Sequence, residues 1–354
     1  MKRVVIVGAG VIGLFCAVRL AKAGARVTLI EAEAEYAGVY GPGASAAAAG
    51  MLAPIEHAPS PHERTALASF NLWRAWREDA DWADGVRFDG AVWVANDAAG
   101  AEVFVANAKR LGRAATGLSP AQVRKRTALK AKVEHAVFVE DEGGADPLRV
   151  LSGLAMQARA HGVVIKYGRD AAGVTANTVT THEGDVFEGD AVVLAPGAWA
   201  SEALAAAAPA LKQVRPAKGH LVSVALAGFL APNLCTPDFY LTQRREDIVL
   251  GSTMEPDRYD RRVNPKRVAE LLAAADAIFP SEVRGLDRAW AGIRPMSPDG
   301  WPMIGPSGDG VFVAAGHSRN GWLLAPITAE IISAYVFGAE IPPDWAALSP
   351  ERFT

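Results

Sequence analysis

The sequence predicts an α/β fold in which a doubly wound, largely parallel sheet is joined to a second α+β domain built on an antiparallel sheet. Three observations carry this expectation. The chain opens with strand, helix and strand in about thirty residues, the length of one βαβ unit. Two more short apolar runs, at 191–199 and 311–315, read as strands buried on both faces. Between them, stretches near 219–226, 237–243 and 247–253 alternate as neighbouring antiparallel strands do.

The elements follow in order. Residues 4–7, all apolar, form the first strand, and a helical pattern over 11–23 stops at Gly24 as at a C-cap. Arg26 to Glu31 is the second strand. The segment 38–50, "GVYGPGASAAAAG", has the composition of a linker, but structured chain on both sides favours an ordered loop allowing close backbone approach. Residues 62–82 read as one amphipathic helix carrying Trp73, Trp76 and Trp82. Asp146-Pro147 is a helix start, with Asp as N-cap and Pro in the first turn; that helix runs to about 161–162 and a strand at 163–167 follows. Alternation over 172–190 suggests a small antiparallel excursion. A helix covers about 264–278, and one from about 321 to 337 closes the pattern.

A chain of 354 residues exceeds one typical core, so one large or two intertwined domains are expected. The net charge of −3 argues against a generic nucleic-acid binder. The two cysteines, Cys16 and Cys235, form no C-x-x-C pair, and no metal-ligand spacing occurs. No apolar stretch reaches membrane-spanning length. The Met1-Lys2-Arg3 start imitates a secretory signal, but its apolar part breaks at once into glycines; a cytoplasmic protein is expected.

In "VVIVGAGVIGLFCAVRL", Gly8, Gly10 and Gly13 follow a strand and open a helix, and Glu31 ends the next strand. That context turns a weak pattern into a dinucleotide fingerprint. Gly8 permits the tight turn, Gly10 lets a pyrophosphate approach, and Gly13 lets helix and strand pack closely. A phosphate would sit on the helix N-terminus, and Glu31 would accept from ribose hydroxyls. An acid there disfavours a 2′-phosphate; NAD and FAD both stay open on this motif.

The segments "VVIVGAGVIGL", "GASAAAAGMLAP", "VVLAPGAWA", "YLTQRREDIVLGSTMEP", "WAGIRPMSPDGWPMIGP" and "VFVAAGHSRNGWLLAP" run in order from residue 4 to 326. Together they resemble the D-amino-acid oxidase superfamily of flavoproteins, and within it the glycine oxidase branch. The resemblance implies FAD as cofactor, in a two-dinucleotide-binding Rossmann-like domain assembled from 1–60, 145–215 and 290–354, with a substrate domain from 61–144 and 216–289. It implies hydride transfer from the α-carbon of glycine or of a small D-amino or secondary amino acid to flavin N5, the imine then hydrolysing to a keto acid. Oxygen would reoxidise the flavin to give hydrogen peroxide. A dehydrogenase passing electrons to a quinone or carrier is the alternative, and an RNA-modifying flavoprotein a more distant one. Homo-oligomers are common in the group.

The resemblance also implies the site. Arg294 in "GIRP" would clamp the substrate carboxylate through two parallel hydrogen bonds. Tyr240 would reach the same carboxylate, Met254 would line the pocket, and Arg319 would face it over the flavin. The fingerprint turn Gly8, Ala9, Gly10, Val11, Ile12 and Gly13, with Glu31 and Ala32, would hold the adenosine half. Ser45, Ala46, Ala49, Gly50 and Met51 would pass beside pyrophosphate and flavin. Ala171 would contact adenine, and Ala195 and Gly197 end a strand where open α/β sheets place ligands. Gly316, His317, Ser318, Asn320, Gly321, Trp322 and Leu323 would wrap the flavin ring. Neither His220 nor His317 is assigned as a base. Asp238, two residues before Tyr240, would weaken anion binding or select a substrate with a cationic side chain.

Overall fold

The computed structural model describes residues 1–35, 43–54, 60–200, 202–228, 232–244 and 247–353; residues 38–42 of the glycine- and alanine-rich segment lie outside them. Strand β1 (Arg3–Val7) pairs in parallel with β2 (Arg26–Ile30) on one side and with Ala191–Leu194 on the other. Val164–Lys166 extends the sheet beyond β2, and Val311–Ala315 and Met303–Pro306 extend it beyond Ala191–Leu194. Only the Met303–Pro306 edge is antiparallel in this six-stranded sheet. The strand order reverses at β1, so a crevice opens past its C-terminal end, where Val7 is level with Ile30 and Leu194.

Helix α1 (Val11–Lys22) buries Leu14, Phe15, Ala17, Val18 and Leu20 and packs on the last helix, Gly321–Phe337. That last helix has little amphipathic character because both of its sides are buried. Helix α3 (Glu63–Arg77) lies against it. Phe15 and Trp73 meet edge to face at 4.9 Å, and Phe15 and Trp82 at 5.7 Å, at the centre of the largest apolar core. The expected helix over 62–82 therefore ends early. The chain leaves it at Arg77, and Trp82 turns back to donate to Gln157 Oε1 at 3.2 Å.

Pro326 lies inside the last helix and deprives Trp322 O of its ordinary donor. Trp73 Nε1 replaces it at 3.0 Å. One residue on, Ile327 N donates to Ser69 Oγ at 3.2 Å, and Ser69 Oγ donates to Leu323 O at 2.6 Å. Two side chains of α3 thus bridge the break, which keeps the helix N-terminus aimed at the crevice.

The second sheet has nine strands among the described residues. Its backbone is the pair Arg215–Leu226 and Val283–Met296, antiparallel over most of their length. Ile248–Gly251, Tyr240–Gln243 and Asn233–Cys235 continue it, then Ala91–Val94, Ala136–Val139 and Ala115–Leu118. Residues 290–296, grouped at the sequence level with the cofactor domain, pair here because their hydrogen-bonding partner is the 215–226 strand. The antiparallel excursion is present as Ala171–Val174, Thr178–Thr181 and Val186–Glu188. The strand expected over 191–199 stops at Leu194, where Ala195 to Gly197 turn into the crevice.

Candidate active site

A cavity of about 1050 Å³ runs from the C-terminal ends of β1 and β2 across to the second sheet. It exceeds the usual 300–1,000 Å³ of small-ligand sites. At one end, Gly8 has φ 101°, and a Cβ there would lie 2.3 Å from Ala195 O. A Cβ at Gly13 would lie 1.8 Å from Gly8 O, so both positions demand glycine for backbone contact. Gly10 is the N-cap of α1 and offers no side-chain cap. Val11 N instead donates to Ser45 Oγ at 3.0 Å, tying α1 to the one-turn helix α2 (Ala44–Ala47). Glu31 faces this turn: Oε2 accepts from Ala9 N at 2.6 Å and Oε1 from Glu33 N at 3.1 Å. Glycines cleared for backbone approach, a helix N-terminus and an acid at the end of β2 fit the adenosine diphosphate half of FAD.

Gly8, Gly10, Val11, Ile12, Glu31 and Ala32 line the cavity, as do Ser45, Ala49, Gly50, Met51, Ala171, Ala195 and Gly197. Ala9, Gly13, Ala46 and Gly316 stand one layer behind, shaping the turns that do the lining.

At the other end, the turn 316–320 is fastened to the strand that carries Arg294. Ser318, at φ 51°, donates its N–H to Pro295 O at 2.8 Å, and Ser297 N donates to Ser318 Oγ at 3.2 Å. Arg319 and Asn320 line the cavity, Arg319 exposed, and Gly321, Trp322 and Leu323 bring the N-terminus of the last helix to the same wall. This helix has no side-chain cap, so its N–H groups favour negative charge there. His317 is buried, and burial drops its pKa to about 3. Thr328 Oγ1 donates to Leu324 O at 2.8 Å and so accepts from His317 Nε2–H at 3.0 Å, which assigns the tautomer.

Arg294 projects from Val283–Met296 across Gly219 of the neighbouring strand. A Cβ at Gly219 would lie 2.2 Å from Nη1, 2.6 Å from Nη2 and 2.7 Å from Cζ. Nη1 donates to Thr253 O at 3.1 Å and Nη2 to Ser252 Oγ. Each terminal nitrogen has two N–H groups, so each keeps one that these bonds do not use. Tyr240 lies over Gly251 in the same manner, a Cβ there falling 2.6 Å from its Oη. Met254 lines the mouth at 48% exposure, so it is a rim residue rather than an interior wall. Asp238 lines the cavity from the turn beside Tyr240, its N–H donating to Thr236 Oγ1 at 3.2 Å.

His220 is fully buried and pins the segment that leads away from Ser252. Its N–H donates to Thr253 Oγ1 at 2.9 Å, and its Nε2 accepts from Asn264 N at 3.1 Å. Burial lowers its pKa. The sequence reading missed Gly219, Gly251, Ser252 and Thr253. Gly219 and Gly251 were findable, since a glycine inside a strand pattern signals close approach. Ser252 and Thr253 carried no such signal.

Both thiols are buried; Cys16 is pushed up to about 12, and Cys235 is also raised. Among the described residues no cluster of side chains could hold a metal ion, and no helix is long and apolar enough to cross a membrane.

Residues 3–335 match the family model described as FAD dependent oxidoreductase, DAO. The chain is 31% identical to glycine oxidase of Geobacillus kaustophilus over 99% of this chain and 96% of that one. It is 30% identical to glycine oxidase of Bacillus licheniformis, over 98% and 96%. It is 31% identical to the bifunctional protein ThiO/ThiG of Synechocystis sp. over 99% of this chain, but spans only 54% of that protein's length. The crystal structure of glycine oxidase from Geobacillus kaustophilus superposes with a TM-score of 0.86 at 28% identity, covering 99% and 98% of the two chains. A family match over nearly the whole length, on a fold whose glycine turn and cavity suit the cofactor, places this chain in the FAD-dependent oxidoreductase family DAO.

Proposed function

We propose that this protein oxidises glycine or a small D-amino or secondary amino acid at its α-carbon, giving an imine that water hydrolyses to a keto acid, with oxygen as the final acceptor. The observation that carries the proposal is Arg294, laid over Gly219 with one N–H on each terminal nitrogen left for a carboxylate, in the cavity that begins at the glycine turn. The relatives named glycine oxidase support the same substrate class.

FAD bound along this cavity would supply the two-electron acceptor. The roles of the chain's own groups follow from the site. The glycine turn, Ser45 and Glu31 would hold the adenosine diphosphate half, and the segment from Gly316 to Leu323 would hold the ring end. Arg294 fixes the substrate carboxylate in charge and orientation, and Tyr240 donates its phenol hydrogen to the same group. The helix N-terminus at Gly321 would favour negative charge at the ring end of bound FAD. Arg319 faces the open side. His220 and His317 stay neutral and are committed to Asn264 and Thr328, so the substrate amine loses its proton to solvent. On this reading residues 1–60, 145–215 and 290–354 serve the cofactor and the intervening segments the substrate, with 290–296 carrying Arg294 across the boundary.

Rapid mixing of the substrate-reduced enzyme with oxygen tests the final step. Fast reoxidation with hydrogen peroxide as product supports the oxidase. Sluggish reoxidation by oxygen with rapid reoxidation by a quinone overturns it in favour of a dehydrogenase.

A further inference from the structure

The wall formed by Ser45 to Ala49 contacts the cavity, yet three of its carbonyl oxygens are held by donors from elsewhere in the chain. Trp322 Nε1 donates to Ser45 O at 3.1 Å, Trp290 Nε1 to Ala47 O at 2.9 Å, and Arg244 Nη2 to Ala48 O. Two of these donors belong to the second sheet. Trp290 lies on Val283–Met296, and Arg244 immediately follows Tyr240–Gln243. Both are buried, at 7% and 5% exposure, and the guanidinium carbon lies 5.4 Å from the Trp290 ring centroid, within cation–π range. Gly292 makes the approach possible, since a Cβ there would fall 2.6 Å from Ala47 Cβ.

The physical need is clear from α2 itself. A helix leaves its last four carbonyls without helical partners, and α2 has only four residues. Carbonyls turned into the cavity would set their negative ends against phosphate and against a ring that gains charge on reduction. A buried arginine is a costly device for an ordinary turn, whereas here its charge also lies behind the cofactor wall.

We infer that Arg244 and Trp290 are positioning residues for the cofactor: they anchor Ala47 and Ala48 to the second sheet, and the Arg244 charge favours the reduced over the oxidised flavin. The two sheets are thereby coupled through the wall that FAD meets.

The test uses the full chain and no amino acid, so it is independent of the substrate reading. FAD affinity of the apoprotein, by quenching of flavin fluorescence, and the midpoint potential of the bound flavin are measured for Arg244→Met, Arg244→Lys and Trp290→Phe. Arg113→Met is the control, removing a buried arginine paired instead with Asp141. Arg244→Met is expected to weaken FAD binding about tenfold, the effect of one lost hydrogen bond to a charged donor, and to move the potential to more negative values. Arg244→Lys recovers part of both, and Arg113→Met changes neither. Wild-type affinity and potential in Arg244→Met overturn the inference, as does an equal loss in Arg113→Met. If Arg244→Met does not fold, Trp290→Phe decides, since it removes the indole N–H that Ala47 O accepts and keeps an aromatic ring at the site: weakened binding supports the inference and unchanged binding overturns it.

Discussion

Gly219→Ala is the smallest change that tests whether Arg294 is the carboxylate clamp. The new methyl would start 2.2 Å from Nη1 and 2.7 Å from Cζ. Ordinary contact needs about 3.5–4.0 Å, so the guanidinium must retreat by more than 1 Å. It can do so cheaply, because it is the far end of a flexible side chain and Gly219 needs no positive φ. Folding and FAD content should therefore hold. The retreat breaks the hold of Thr253 O and Ser252 Oγ and spoils the bidentate geometry. Hydrogen bonds to charged groups are worth about 1.5–3 kcal/mol, which predicts a loss of about 10- to 100-fold in kcat/KM, mostly through KM. Steady-state oxidation of the best amino acid, beside thermal melts and flavin content, measures it. Wild-type kcat/KM in a folded, FAD-loaded Gly219→Ala enzyme would refute the clamp.

Three further outcomes are expected. Asp238→Ala should lower kcat/KM for amino acids with cationic side chains roughly fivefold relative to neutral ones, the scale of a solvent-exposed charge pair; an equal change for both classes removes Asp238 from specificity. Ser69→Ala leaves Ile327 N without its partner inside the last helix and should cost about 1–3 kcal/mol in urea unfolding, whereas full stability would show that Trp73 bridges the Pro326 break alone. His317 titrates at about 3 when folded, below its ordinary value of 6.5, so protons favour the unfolded chain. Its contribution to stability is complete above about pH 6.5 and declines toward pH 3, by up to about 1.4 kcal/mol per pH unit. His220, also lowered, acts in the same direction. Chemical unfolding across that range should show a steeper acid loss for wild type than for His317→Gln, and identical slopes would contradict the assignment.

What could be read from the sequence was local. Gly8, Gly13 and Glu31 lie within one βαβ unit, and their spacing encodes the turn that the structure shows. The strand expected over 191–199 stops at Leu194, whereas the one ending just before Gly316 was legible from its local apolar run. The supports of Arg294 were not, because Gly219 precedes it by 75 residues and matters only once the two strands pair. The strand Val283–Met296 was not predicted: its end, 290–296, was read only as a motif and grouped with the cofactor domain, since Arg284 and Arg288 interrupt its alternation. Trp82 fitted a helical pattern, yet its indole answers to Gln157 in another helix. Resemblance supplied the site residues that periodicity could not, and geometry added the glycines that give them room.

Anaerobic titration of the purified, FAD-loaded protein with glycine, sarcosine, D-amino acids and D-hydroxyproline tests the central claim most directly. The account predicts that the visible flavin band bleaches with at least one small amino acid, and much more slowly in Arg294→Ala. A band that no amine bleaches would contradict it.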